Sequence, residues 1–343
     1  MAFMSRMSDS TSANLPGVLV TGGSGFIGQK LVRALSPLTR PVVSMYHLRL
    51  PEPLPNVYPV CSDMSSPELL AAPLRGIQTV VHLAWDGGLA GPTENACWDL
   101  ATPEKLSRNI QLLRNLLEAM ERANVQRIIF VSAIGASRLS TVPFLMEKYL
   151  AEFLILNSQI KEKIIVRSSV IFGGNIQSDK FVRTIARVMK YPFYPVPNVK
   201  KTIAPIAVDD LVGVLTDLCS CKLKEPMAIL DVAGGEAYRV EEIFRLIAEK
   251  IVGGGRIPVG GALGNSLVPL FDRERRHDPK GLPRIKHFLA VGGSAETATT
   301  TGNQLLELLP RHPAGFREAM NVDHRTPASV KTAAPEPHQP PNN

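Results

Sequence analysis

The stretch Thr21-Gly-Gly-Ser-Gly-Phe-Ile-Gly28 carries the clearest chemistry in this chain. Gly23, Gly25 and Gly28 satisfy G-x-G-x-x-G, and Gly22, Gly25 and Gly28 satisfy the wider G-x-x-G-x-x-G. Glycines at these intervals let a loop turn tightly and bring backbone N–H groups against a pyrophosphate at a helix N-terminus. The context fits, because the apolar run Val18 to Val20 precedes the loop and a helical pattern ending in Lys30 to Leu35 follows it. Thr21, Gly22, Gly23, Ser24, Gly25, Phe26, Ile27 and Gly28 are therefore the expected dinucleotide-binding residues. About twenty residues beyond such a loop, a carboxylate usually bonds the ribose 2′-hydroxyl. Here no Asp or Glu occurs between Gly28 and Glu52, and the second apolar run ends in Tyr46, His47, Leu48 and Arg49. The Arg49 guanidinium suits a 2′-phosphate, so NADP is the expected cofactor, with NAD as the alternative.

Other chemistries are set aside by composition. The cysteines Cys61, Cys97, Cys219 and Cys221 show no C-x-x-C spacing, so neither a disulfide framework nor a metal site is expected. The net charge of +7 favours anionic ligands, yet Lys and Arg are spread along the chain rather than gathered in a stripe. A phosphate-bearing small molecule is expected as the partner, and nucleic acid is not. No apolar run reaches the roughly 18 residues of a membrane span. The first fifteen residues lack the apolar core of a secretory signal, which gives a cytoplasmic expectation.

The elements that must position the loop follow from periodicity. Apolar runs at Val18 to Val20, Val42 to Met45, Val57 to Val60, Thr79 to Leu83, Arg127 to Val131 and Ile164 to Val166 read as strands. Helical patterns lie between them, most clearly Leu106 to Ala123 with Leu112, Leu113, Leu116, Leu117 and Met120 on one side. The expectation is an α/β fold: a Rossmann-type doubly wound parallel sheet over residues 17–174, with a smaller C-terminal substrate lobe over 175–323. That lobe is expected to interleave partly with the sheet domain. Helices are predicted at Asp179 to Lys190, Asp209 to Leu218 and Val240 to Ile251, and a strand at Ala228 to Val232. Ile257 to Phe271, broken by Gly and Pro, reads as loop within a loop-rich stretch after 253. Residues 1–16 and the Pro-rich 324–343 read as disordered.

Further motifs arrive in a telling order: Cys61-Ser-Asp63-Met64, His82-Leu-Ala-Trp85, Arg108-Asn109-Ile110, Phe130-Val-Ser-Ala133, Ile165-Val-Arg167, Ile171-Phe-Gly173 and Val208-Asp-Asp210. Together with the glycine loop, this series over residues 17 to about 250 resembles the extended and atypical short-chain dehydrogenases/reductases, the NAD-dependent epimerase/dehydratase family. The resemblance implies that Asp63 meets the adenine, that Leu83 and Ala84 line the ribose, and that Asn109 supports an active-site lysine, Lys148, which also bonds the nicotinamide ribose; Met64 and Trp85 are expected to bind the cofactor with them. It also implies homodimers through the helices at Leu106 to Ala123 and Phe144 to Leu156.

The family pattern places a Tyr four residues before the Lys, on one helix face, and a Ser or Thr after the fifth strand. Alignment on Lys148-Tyr-Leu-Ala-Glu152 puts Phe144 and Ala133 at those positions. Tyr149 follows the lysine by one residue and is turned about 100° around the helix. Hydroxyls nearby belong to Ser132, Ser137, Ser140 and Thr141, and Asp86 follows the fourth strand. Lys148 and Ser132 are taken as the catalytic candidates. The departures resemble the atypical branch that includes the accessory 39 kDa subunit of respiratory complex I. Two functions stay open: an NAD(P)-dependent oxidoreductase or epimerase acting on a small molecule such as a nucleotide-linked sugar, or a non-catalytic NADPH-binding scaffold or sensor.

Overall fold

The computed structural model describes residues 16–39, 41–85, 107–140, 142–173, 179–189, 191–196, 202–221, 225–252, 255, 257–273 and 313–321. The expectations for residues 1–15, for Asp86 and for 324–343 fall outside these. Seven parallel strands form the central sheet: β1 Gly17–Thr21, β2 Val42–Tyr46, β3 Val57–Cys61, β4 Ile77–His82, β5 Arg127–Ala133, β6 Glu162–Ser168 and β11 Met227–Val232. Their order across the sheet is β11-β6-β5-β4-β1-β2-β3. All residues of β1 and β5 are buried, as expected of parallel strands covered on both faces.

Two helical layers do the covering. On one face α1 (Phe26–Leu35) and α5 (Val208–Ser220) pack over Val18, Val20, Ile129 and Val166. On the other, α2 (Arg108–Arg122) and α3 (Pro143–Leu156) pack over Leu19, Val80, Phe130 and Ile165. Of the apolar positions of α2 that the sequence picks out, Leu113, Leu116, Leu117 and Met120 are buried, while Leu112 is half-buried at the edge of the same core. Ser107 caps this helix by accepting from the Ile110 N–H, and Pro143 opens α3 at its first turn.

Past residue 174 the chain does two things. It returns α5 and β11 to the sheet, and it builds a second core from α4 (Lys180–Val188), α6 (Val240–Ile247) and short strands. Phe172, Phe181, Tyr194, Tyr238, Phe244 and Phe316 fill this core. Buried Asp179 closes the way into α4, accepting from Val182 N–H at 2.9 Å and Gly173 N–H at 2.8 Å.

The reading of Ile257 to Phe271 as loop is corrected by the structure. Ile257–Val259 pairs with Phe193–Pro195, and Gly261–Arg273 is helical. The glycines taken as breakers make the turn instead: Gly261 has φ +64, and a Cβ on Gly264 would lie 2.2 Å from the Val259 carbonyl oxygen. Only glycine lets this helix fold back so tightly on its own strand.

Arg127 at the start of β5 is nearly buried. It bonds Glu162 at 2.6 Å and the carbonyls of Leu218 and Cys221, at the end of α5, at 2.7 and 2.8 Å. This one guanidinium ties the sheet to the late-arriving helix. Arg127→Met is expected to lower stability by about 2–4 kcal/mol, because two carbonyls and a carboxylate lose their donor. Urea denaturation checks this, and an unchanged midpoint contradicts it.

Candidate functional site

The sheet reverses direction of winding between β1 and β4, which are neighbours although β2 and β3 intervene in sequence. Such a switch point opens a crevice beyond the carboxyl ends of the strands. Thr21, the last residue of β1, is fully buried. Its hydroxyl accepts from the Leu83 and Ala84 N–H groups, both at 3.1 Å, and lies 2.8 Å from His82 Nδ1. Two accepted bonds use both oxygen lone pairs, so the hydroxyl proton goes to Nδ1 and the His82 proton sits on Nε2. Burial, and then the charge of Lys148, push the His82 pKa down to about 3, which keeps the ring neutral. Thr21 is thus a tie between two strand ends, with its hydroxyl turned inward.

The glycine loop is shaped by close approaches. Gly22 has φ +68 and lies so near the Ala84 backbone that a Cβ would be 2.9 Å from Ala84 N, and a Cβ on Gly28 would lie 2.2 Å from the Gly22 carbonyl oxygen. The Gly23 N–H donates to the Met45 carbonyl, and the Ser24 carbonyl accepts from the Gln29 amide. Gly25 is the N-cap of α1 and offers no side-chain acceptor, nor does an acidic residue stand in the first turn. The first-turn N–H groups are left for an anion, which is the arrangement a dinucleotide pyrophosphate uses. Phe26 and Ile27 are half-buried and pack against the α1/α5 core.

A cavity of about 470 Å³ runs from this loop along the strand ends, a size suited to a small molecule. Among the described residues it is lined by Gly22 of the loop, Met45 to Leu48 at the end of β2, Ser62 to Met64 after β3, Ala84 and Trp85 after β4, and Arg108, Asn109 and Leu112 of α2. Of the expected cofactor residues, Gly22, Asp63, Met64, Ala84, Trp85 and Asn109 meet here. Arg49, exposed beyond the end of β2, is not part of the lining. Asp63 accepts from Ser65 N–H at 2.9 Å. That bond, with the nearby His47 and Arg108, holds its carboxyl below the ordinary carboxylate range.

Behind Trp85 lies the lysine centre. Lys148 is buried, with Nζ donating to the Val131 carbonyl at 2.9 Å. Nζ stands 3.9 Å from the centre of the Trp85 ring, 4.6 Å from that of Phe130 and 5.8 Å from that of Phe144. The residue in the tyrosine position is therefore part of an aromatic cage around the ammonium. Burial lowers the Lys148 pKa to about 7, against the opposing pull of Glu147 and Glu152. Burial also raises Glu147, whose Oε2 accepts from Asn109 at 3.1 Å. Among the described residues, His82 Nε2, Trp85 Nε1 and Glu147 Oε1 are buried without a hydrogen-bond partner in good geometry.

Ser132 sits in a separate polar network. Its hydroxyl donates to Glu152 Oε1 at 2.5 Å, and Glu152 is gripped by Arg167 through contacts of 2.6 to 3.2 Å. Ser132, Arg167 and Asp231 stand opposite one another on β5, β6 and β11. In this geometry the Ser132 proton is committed to Glu152, and neither Ser132 nor Lys148 lines the cavity. Sequence reasoning missed Glu147, Glu152, His82 and Arg108 as site residues. The positions of the two glutamates, one before and four after Lys148, were the available signal, since the i+4 residue shares its helix face. Among the described residues no cluster suited to a metal ion occurs, and no helix is long and apolar enough to cross a membrane.

Residues 18–139 match the model of the NAD dependent epimerase/dehydratase family. A 3-beta-hydroxysteroid dehydrogenase of Mycolicibacterium neoaurum is 34% identical over 119 residues, which are 34% of this chain and 31% of that protein. An Arabidopsis thaliana protein, NADH dehydrogenase [ubiquinone] 1 alpha subcomplex subunit 9, mitochondrial, is 24% identical over 72% of this chain and 61% of its own length. The chain thus spans less than two thirds of either relative. Among solved structures, MoeE5 in complex with UDP-glucuronic acid and NAD superposes with a TM-score of 0.61 at 23% identity, over 89% of this chain and 96% of MoeE5. The Rossmann-type fold and the resemblance to the extended short-chain dehydrogenase/reductase superfamily are supported by these matches.

The buried lysine gives a pH test. An unfolded lysine keeps its proton up to about pH 10.4, whereas folded Lys148 releases its proton near 7. Between these values the unfolded state binds more protons, so this group makes stability rise with pH across the window and lowers it fully below pH 7. Lys148→Met is expected to flatten that rise, with its greatest gain relative to the parent at about pH 6. Urea midpoints across the range check this, and parallel pH profiles for parent and variant contradict it.

Proposed function

We propose that this chain binds a nicotinamide dinucleotide across the carboxyl ends of β1, β2 and β4, and acts as an NAD(P)-dependent oxidoreductase or epimerase on a nucleotide-linked sugar. The observation that carries the reading is the switch-point cavity lined by Gly22, beside a glycine loop too tight for any Cβ at Gly28 that leads into a helix N-terminus with no side-chain cap. The first turn of α1 would hold the pyrophosphate, and Asp63, Met64, Ala84 and Asn109 the adenosine half. The absence of an acid between Gly28 and Glu52, together with Arg108 in the cavity lining, favours NADP over NAD. The sugar-nucleotide class rests on the family match and on the ligands of MoeE5.

When bound, such a cofactor supplies hydride transfer. The chain's own part is proton handling and exclusion of water. Lys148, with both protonation states populated near neutral pH, is the group assigned to proton exchange; it stands behind Trp85 and outside the cavity lining, so the assignment requires the Trp85 ring to turn aside when substrate binds. Phe144 leaves no phenol at the usual position, and Trp85 and Phe130 set the low dielectric that lowers the Lys148 pKa. Ser132 acts through Glu152 and Arg167 as a positioning residue for α3, the helix that bears Lys148. A homodimer through α2 and α3 belongs to this reading, with Phe153 on α3 left 45% exposed.

The test is binding first and turnover second. Calorimetry of the parent chain should show NADPH or NADH binding in the micromolar range or tighter, and Gly28→Ala should lose at least about tenfold by pushing the loop off the helix. With UDP-sugars as substrates, Lys148→Met should reduce kcat by about a hundredfold or more while leaving dinucleotide affinity within about threefold. No binding of either dinucleotide sinks the proposal. Binding with no turnover on any UDP-sugar removes the sugar-nucleotide assignment.

A further inference from the structure

We infer that Arg108, assisted by His47, is the residue that distinguishes a 2′-phosphate from a 2′-hydroxyl, and that Arg49 takes no part; this rests on the dinucleotide reading above. Arg108 and His47 both line the cavity, the first from the opening turn of α2 and the second from the chain just beyond β2. The chain leaves the wall after Leu48, and Arg49 is an exposed residue outside the lining. Proximity in sequence to the end of β2 therefore does not carry Arg49 to the ligand.

Among the described residues Arg108 has the chemistry of an anion receptor. It is exposed at the first turn of α2, where the helix N-terminus adds positive potential. Among the described residues no carboxylate lies within 4 Å of its guanidinium, whereas Arg33, Arg122, Arg127 and Arg167 are each taken by a glutamate. Its planar fork of N–H donors matches a phosphate through paired bonds. Among the described residues Asp63 is the one acid of the cavity lining. Its carboxylate already accepts from Ser65 N–H and feels the positive charge of both His47 and Arg108. The permanent charge of Arg108, with the His47 imidazole as a further polar partner, stands beside one tethered carboxylate among the described lining residues and suits a phosphate dianion, while a bare 2′-hydroxyl would gain little from either group.

The experiment uses four probes on the full chain: NADPH, NADH, 2′,5′-ADP and 5′-AMP, titrated by calorimetry. Arg108→Ala should weaken NADPH and 2′,5′-ADP by about 10- to 100-fold and leave NADH and 5′-AMP within about twofold. His47→Gln should give a smaller loss confined to the same two phosphorylated probes, and Arg49→Ala should change none of the four. Arg108 is exposed, and circular dichroism of each variant confirms an intact fold before titration.

Equal loss on both members of a pair, or no loss on either, overturns the assignment of Arg108. A selective loss of the phosphorylated probes in Arg49→Ala overturns it in favour of Arg49. So does a parent chain that binds NADH as tightly as NADPH, or an Asp63→Asn variant that selectively loses NADH. In each of those cases dinucleotide binding itself stands. A parent chain that binds neither NADH nor NADPH overturns the underlying reading instead, so the two failures are distinguishable.

Discussion

The meeting of two strand ends at Thr21 is the constraint on which the site depends. One hydroxyl holds the Leu83 and Ala84 amides and the imidazole of His82, so the chain leaving β4 is pinned beside the chain leaving β1. Gly22 can then pass against Ala84 only in a left-handed conformation, which other residues adopt at a cost. The direction of the glycine loop, the aim of the α1 N-terminus and the inner end of the cavity follow from that contact. A β-branched valine would fill the same space as Thr21 but would leave two buried N–H groups without an acceptor.

The second organising feature is a buried charge. Lys148 is removed from water and receives one carbonyl and two close aromatic faces in return. An ammonium is better solvated by water than by this cage, which is why its pKa falls. Glu147 and Glu152 offset part of that cost through their charge. Each is itself held from another element, Glu147 by Asn109 of α2 and Glu152 by Ser132 and Arg167 of the sheet. The polar groups of α3 thereby link both helices of one layer to strands β5 and β6. Phe144, at the position where the resemblance expects a tyrosine, sets its ring 5.8 Å from the ammonium.

Chain order and spatial order part company in the second half. Arg127 joins β5 to the end of α5, and β11 pairs with β6 along six residues. The sheet is thus completed by segments that arrive after much of the lobe has been built. The lobe's own core is aromatic, and Phe316, far along the chain, packs against Phe172 at a centroid distance of 4.8 Å.

The sequence by itself determined the strands, the main helices and the glycine loop. These depend on local properties: runs of apolar residues, helical spacing and glycines between a strand and a helix. It also showed that Phe144 and Ala133 stand where a phenol and a hydroxyl are usual. Tertiary structure decided what spacing cannot encode. Whether Arg49 or Arg108 faces the cavity depends on where the chain leaves β2 and where α2 begins, which are separated by some sixty residues of sequence. Whether Ser132 can serve a ligand depends on Glu152 of a neighbouring helix and Arg167 of a neighbouring strand. The glycines near residue 261 read as breakers in one dimension, yet in three they allow a close approach between a helix and its own strand. Patterns along a chain report what each segment prefers, while a site is made by groups from different segments competing for the same buried donors and acceptors.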